Sequence, residues 1–247
     1  MCFDMSLFSP LQKIQQFVPV QLSNFIFHPT YHQTAPTFCN WPIVTHQAAS
    51  YSIELMEWGL VADFMNTPEL MRKYRISMAN ARSEKILDDP RSVWHQIRQQ
   101  RCLIFCDGFF EHQETGAKKK TPYYIHSKKT TLFAIAGLFH TGPLKDENTG
   151  QVKGSFTLIT RPANPLMAKI HNGGPNKERM PLILQQEQAL EWLEPSLEQS
   201  AFRKILEFEY QETNMEAWPV KTIRTQKADT PAIIAPYKPL SLFDEIP

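Results

Sequence analysis

No apolar run in this chain approaches the ~18 residues of a membrane span. The start lacks a charged stretch followed by an apolar one, so no secretory signal is read and a cytoplasmic protein is expected. Repeats, low-complexity tracts and Gly/Ser linkers are missing too. That leaves one domain as the expectation over residues 1–247, with a Pro-rich extended tail from about 228. Cysteine is sparse: Cys2, Cys39, Cys102 and Cys106 are too few and too irregular for a disulfide framework, which suits a reducing compartment. "CLIFC" reads as a strand. It sets Cys102 and Cys106 ~13 Å apart on one face, too far to share a zinc with Zn–S bonds near ~2.3 Å. Buried, inert thiols are expected there, with no metal and no cofactor.

Strong net charge is also missing, at +1, but the balance is uneven. Residues 185–216 hold eight Glu against Arg203 and Lys204, whereas residues 69–129 carry 13 basic and 7 acidic side chains. A near-neutral chain can therefore present a basic surface to phosphates, although charge runs are commonly solvated faces.

What is present reads as strands in the middle with helices between and after them. "YSIELMEWGLV" is a strand ending at Trp58-Gly59. "RCLIFCDGFFEH" is a strand, a turn at Asp107-Gly108, and a second strand. "PYYIH", "LFAIAGLFH" and "KGSFTLITRPA" add more, rich in β-branched and aromatic residues. Thr67-Pro68 and Asp89-Pro90 look like helix starts, and "QQEQALEWL" and "SLEQSAFRKILEFEY" carry apolar helical faces. Without βαβ alternation, the fold class is α+β: a largely antiparallel, curved or barrel-like sheet core with peripheral helices.

Five places could carry chemistry. Cys2 would own both a thiol and a free α-amine if Met1 were removed. "NARSEK" groups Asn80, Arg82, Ser83 and Glu84, as a pocket lining or a surface turn. Glu111 follows two Phe residues, and a carboxyl set against rings suits a general acid or proton shuttle; an exposed strand-end Glu is the alternative. His171 precedes a Gly-Gly turn, at a loop edge where sites gather. In the same segment as His171, Arg179 suits a phosphate or carboxylate, or plain solvation. An aromatic and basic mixture, with Trp41, Trp58, Phe109, Phe110, Tyr123, Tyr124, Arg82 and Lys118 to Lys120, fits single-strand binding, although most of those rings should be core.

Taken in order, Met1-Cys2, "WGLV" at 58–61, "NARSE" at 80–84 and "RCLIFCDGFFE" at 101–111 resemble the SOS-response-associated peptidase (SRAP) family. So do "PYYI" at 122–125, "AGLF" at 136–139, "IH" at 170–171 and "RMPLIL" at 179–184. The family senses abasic sites in single-stranded DNA and captures them covalently. The resemblance implies Cys2 as nucleophile, with Asn80, Glu111 and His171 around it. It places Arg82 on DNA phosphate, with Trp58, Ser83 and Arg179 as further DNA contacts. The partner implied is single-stranded DNA with abasic sites; a monomer is expected, associated with the nucleoid when bound.

Three departures stand out. The family usually opens Met-Cys-Gly-Arg, but Phe3 and Asp4 stand here. Glu111 is followed by His112 instead of Trp. "NGGPNKE" separates His171 from Arg179, where family members are almost contiguous. Two rival functions remain: a cysteine-dependent peptidase using Cys2 and His171, and a non-catalytic single-strand binding module.

Overall fold

The computed structural model describes residues 2–22, 26–47, 50–116, 119–223 and 228–237. Its strands run β1 (Asp4–Leu7), β2 (Thr30–Thr34), β3 (Asn40–Gln47), β4 (Ser50–Trp58), β5 (Asn80–Arg82), β6 (Arg101–Cys106) and β7 (Gly108–Glu114). They continue as β8 (Lys120–Ser127), β9 (Phe133–Lys145), β10 (Val152–Pro162), β11 (Arg179–Pro181), β12 (Ile183–Leu184) and β13 (Met215–Pro219). The helices are α1 (Pro68–Tyr74), α2 (Ser83–Asp88), α3 (Val93–Gln96), α4 (Pro165–Ile170), α5 (Gln186–Leu193) and α6 (Gln199–Leu206).

The fold is α+β. One sheet has the order β13-β8-β7-β1-β2, with every described pair antiparallel. The second runs β11-β10-β4-β3-β6-β9-β12, and a further β9–β10 pairing closes five of its strands into a ring. That ring is the barrel core. It is mixed, because β10 runs parallel to β4, and β5 adds to β10 in parallel as well. "RCLIFC" sits between β3 and β9 and is buried at all positions, as a run apolar on both faces requires.

A single residue, Asp107, separates β6 from β7, yet the two strands lie in different sheets. Its carboxylate accepts from Phe8 N at 2.7 Å, Ser9 N at 2.8 Å and Ser9 Oγ at 2.5 Å, so the crossing is tied to the end of β1. Gly108 is required there: a Cβ would lie 2.5 Å from Ile125 O and from the Tyr124 ring. The sheet carrying β1 and β7 is thereby held against the barrel.

Three tryptophans are sealed in the core with their N–H groups satisfied, as buried indoles require. Trp41, Trp58 and Trp192 donate to the carbonyls of Phe105, Ala79 and Cys102, each at 3.0 Å. Burial pushes the Cys102 and Cys106 thiols well above the ordinary range, in keeping with inert core residues.

Local signals held at α1, where Thr67 caps Leu70 N and Pro68 opens the helix. Two did not hold. α3 starts at a Ser92 cap rather than at Asp89-Pro90, because Asp89 is turned to Lys85, 2.8 Å away, and Ser92 reaches Trp94 N. The tail is not simply extended: Pro231–Ile233 forms a 3-10 turn, because Ile233 must reach the apolar cluster of Phe110, Tyr124, Val220 and Ile223. Residues 238–247 of that tail, Met1 and Lys118 lie outside the described residues. No helix among the described residues is long and apolar enough to cross a membrane.

Candidate active site

Glu111 is the fourth residue of β7, at the point where the strand passes from buried to half-buried. Asp4 pairs with Phe110, so β1 brings the chain start alongside Glu111. His171 is positioned by α4: Asn164 caps that helix through Met167 N at 2.9 Å, Pro165 opens it, and His171 closes it by donating its N–H to Met167 O at 2.7 Å.

Glu111 and His171 line one cleft of about 530 Å³, with Phe3, His112, Glu114, Lys120, Pro122, Thr222 and the 173–176 turn. Glu111 Oε2 lies 3.9 Å from His171 Nε2. His171 Nδ1 lies 2.9 Å from Arg179 O. Arg179 N lies 3.4 Å from the same nitrogen, so Nδ1 is held on the Arg179 backbone and Nε2 is the ring nitrogen that faces Glu111.

Cys2 is buried at 1% exposure, immediately before the cleft residue Phe3. Burial pushes its thiol well above the ordinary range, and the negative charge of Glu111 adds to the rise. The thiol is therefore a protonated one within electrostatic reach of a carboxylate. Asn80 opens β5 and is 5% exposed, yet neither atom of its side-chain amide finds a hydrogen-bond partner among the described residues. A buried amide left open costs about 1–3 kcal/mol, which a ligand or a chain terminus hydrogen-bonded there would recover.

The residues assigned to DNA separate. Arg82 is exposed at the end of β5, with Nη2 2.5 Å from Asn176 Oδ1. Trp58 is a correction: at 0% exposure, stacked on Phe156, it has no face to offer a base. Its position inside the barrel ring follows from its large apolar ring at the end of β4. Ser83 is also buried, at the first position of α2.

Arg179 is the second correction. Both its terminal nitrogens grip Glu84, at 2.6 and 3.0 Å, and Nη2 also donates to Thr160 O at 2.7 Å. A bidentate carboxylate is already in the place a phosphate would take. Asp4, which stands where the family usually has Arg, is buried and paired with His32 Nε2 at 2.8 Å.

Sequence reading missed His32 and the cleft residue Thr222, and although it set apart the loop "NGGPNKE" it gave Asn176 no role. His32 and Asn176 reach their places through contacts 28 and 94 positions away in the chain. Among the described residues, no group of three or more His, Cys, Asp or Glu is placed to hold a metal.

The family model described as SOS response associated peptidase (SRAP) matches residues 1–224. The abasic site processing protein YoqW of Bacillus subtilis is 30% identical over 237 residues, 95% of this chain and 99% of its own. The abasic site processing protein YobE of the same organism is 30% identical over 225 residues, 90% of this chain and 95% of that one. A crystal structure of a protein from Bacteroides thetaiotaomicron superimposes with a TM-score of 0.83 at 29% identity, covering 96% of this chain and 100% of that one.

Proposed function

This chain belongs to the SOS response associated peptidase (SRAP) family, and from that premise we propose that it captures abasic sites in single-stranded DNA covalently through Cys2, after removal of Met1. The observation that carries the reading is the facing of Glu111 and His171, 3.9 Å apart, in a cleft that begins at Phe3, the residue next to Cys2.

The chemistry follows from an amine and a thiol on one residue. The Cys2 amine adds to the aldehyde carbon of the ring-opened deoxyribose and gives a carbinolamine. His171 Nε2 takes the proton that the nitrogen sheds. Loss of water, with a proton delivered to the departing hydroxyl, leaves an imine. The Cys2 sulfur then bonds to the same carbon, and its proton passes by way of Glu111 to the imine nitrogen. The product is a five-membered thiazolidine, and the sum is aldehyde plus aminothiol giving ring plus water. Glu111 has a defined task in this scheme, because a thiol whose ionisation burial disfavours needs a base beside it at the moment of attack. Asn80, with its open amide, holds the amine or the sugar by hydrogen bonds. Ring closure removes the imine that would otherwise promote strand cleavage.

A hydrolase acting on other proteins fits less well. It needs a thiolate poised near neutral pH, whereas burial and the Glu111 charge move the Cys2 thiol the other way.

The test is to mix the purified protein with single-stranded DNA carrying one abasic site and read the intact mass, with Cys2→Ala as control. An adduct lighter than the sum by one water, lacking Met1 and missing in the control, is the expected result. Turnover of added peptides without any DNA adduct would sink the reading.

A further inference from the structure

The segment between His171 and Arg179 is held tightly at its base. Glu178 N donates to His171 O at 2.7 Å, closing the loop on itself. Asn172 then fastens one side to β7: it accepts from Glu114 N at 2.7 Å and donates to Glu114 O at 3.1 Å, as a neighbouring strand would. Gly174 takes a left-handed backbone, φ +80°, and Lys177 N returns to Gly174 O at 3.3 Å. The turn so formed places Asn176 in the cleft lining and within reach of β5. There its side chain meets Arg82, 94 positions away in the chain. A guanidinium can only donate, so the contact atom of Asn176 is its amide oxygen.

Arg82 and Arg179, each in contact with a cleft-lining residue, Asn176 and His171, are held by different chemistry. Arg179 is buried and neutralised by the Glu84 carboxylate. Arg82 is exposed and hydrogen-bonded to a neutral oxygen, beside the carboxylates of Glu84, Asp88 and Asp89, which are themselves paired with Arg179, Arg203 and Lys85. Glu84 is the carboxylate closest to Arg82 in sequence, and both its oxygens are already taken by Arg179. An uncharged acceptor restricts the rotamers of a long side chain while leaving its full charge and its remaining donors for an incoming anion.

We propose that Asn176 is a positioning residue that fixes Arg82 beside the cleft loop as a charged, single-point ligand for a DNA-backbone phosphate. The proposal rests on the reading that this chain binds single-stranded DNA, and it assigns a task to the loop that separates His171 from Arg179. It follows that the amide, rather than any side chain of similar shape, is needed at position 176. An aspartate there would keep the shape and the bond but cancel the charge.

The experiment is fluorescence anisotropy with a labelled, undamaged single-stranded oligonucleotide, titrated at several salt concentrations. The proteins are the wild type, Asn176→Ala, Asn176→Asp, Arg82→Ala and the double variant Arg82→Ala/Asn176→Asp. Position 176 is half-exposed on a surface turn, and circular dichroism checks that each variant is folded. Asn176→Ala is expected to bind about threefold more weakly, with the salt slope unchanged. Asn176→Asp should fall about tenfold, as far as Arg82→Ala, and both should lose about 0.7 from the slope of log K against log salt, the loss of one phosphate contact on a single strand. The double variant should be no worse than Arg82→Ala. Equal affinities for Asn176→Asp and Asn176→Ala overturn the proposal, as does a further tenfold loss in the double variant. A wild type without salt-dependent binding overturns the DNA reading itself, a result distinct from wild-type binding that Asn176→Asp leaves untouched.

Discussion

His171 Nε2 and Glu111 Oε2 face each other 3.9 Å apart, with both side chains more than nine-tenths buried. That separation is too long for a hydrogen bond but lets one substrate atom touch both groups. Glu111→Gln and His171→Ala should each slow adduct formation on abasic single strands by about 10²–10⁴-fold. Binding of undamaged strands should change little. Single-turnover time courses on denaturing gels separate the two effects. Wild-type rates in both variants would remove these residues from the mechanism.

Cys2→Ser tests the order of the two bond-forming steps. The serine amine still forms an imine, but its hydroxyl closes no thiazolidine. An adduct should appear only when borohydride is added during the reaction, and should be lost on heating without it. A heat-stable adduct from the serine variant without reductant would mean that the sulfur is not needed.

Trp58→Phe distinguishes a core tryptophan from a base-stacking one. The indole N–H is bonded to Ala79 O at 3.0 Å with no exposed surface. Losing that bond and leaving the carbonyl buried should cost about 1–3 kcal/mol of stability in chemical denaturation. DNA affinity per folded molecule should stay the same. A stable variant that no longer binds DNA would return Trp58 to the interface.

The Glu84–Arg179 pair gives a pH signature. Burial, the largest single influence, raises the Glu84 carboxyl, but the Arg179 hydrogen bonds, its own backbone hydrogen bond and the charges of Arg179 and Arg82 together outweigh it, and the group lies below its usual range. A carboxyl lowered in the folded state adds stability above its unfolded value of ~4.3 and loses it as pH falls through the folded value. Glu84→Gln should therefore melt below the wild type at pH 7, with the gap closing below about pH 4. Melting curves across pH 3–8 check this, and a gap independent of pH would mean that the charge is irrelevant.

Much of this molecule was legible in the chain because the signals were local. β6 announces itself as an apolar run, α1 by Thr67-Pro68, and the break between β6 and β7 by Asp107-Gly108, whereas the change of sheet at that break was not legible. The start at Ser92 was not legible, because Asp89 and Ser92 are both competent caps and only the contact with Lys85 decides between them. Closure of the barrel was not legible either: the parallel pairing of β10 with β4 joins residues about a hundred positions apart, and alternation within a strand says nothing about which strand lies beside it.

For the site, the sequence by itself determined which chemistry is available: a thiol at Cys2, joined by an amine once Met1 is removed, a carboxyl at Glu111, an imidazole at His171, an amide at Asn80. The tertiary structure decided which of the polar groups around them are free to act. Arg179 and Arg82 are the same residue type in similarly polar surroundings, yet one is spent on Glu84 and the other is held by Asn176 with its charge intact. Asp4 carries a charge that the chain alone would place at the surface, and the fold buries it against His32. The reason is physical. Reactivity belongs to the side chain, whereas solvation and pairing belong to its neighbours, and those neighbours are chosen by contacts across 28 to 95 residues of chain.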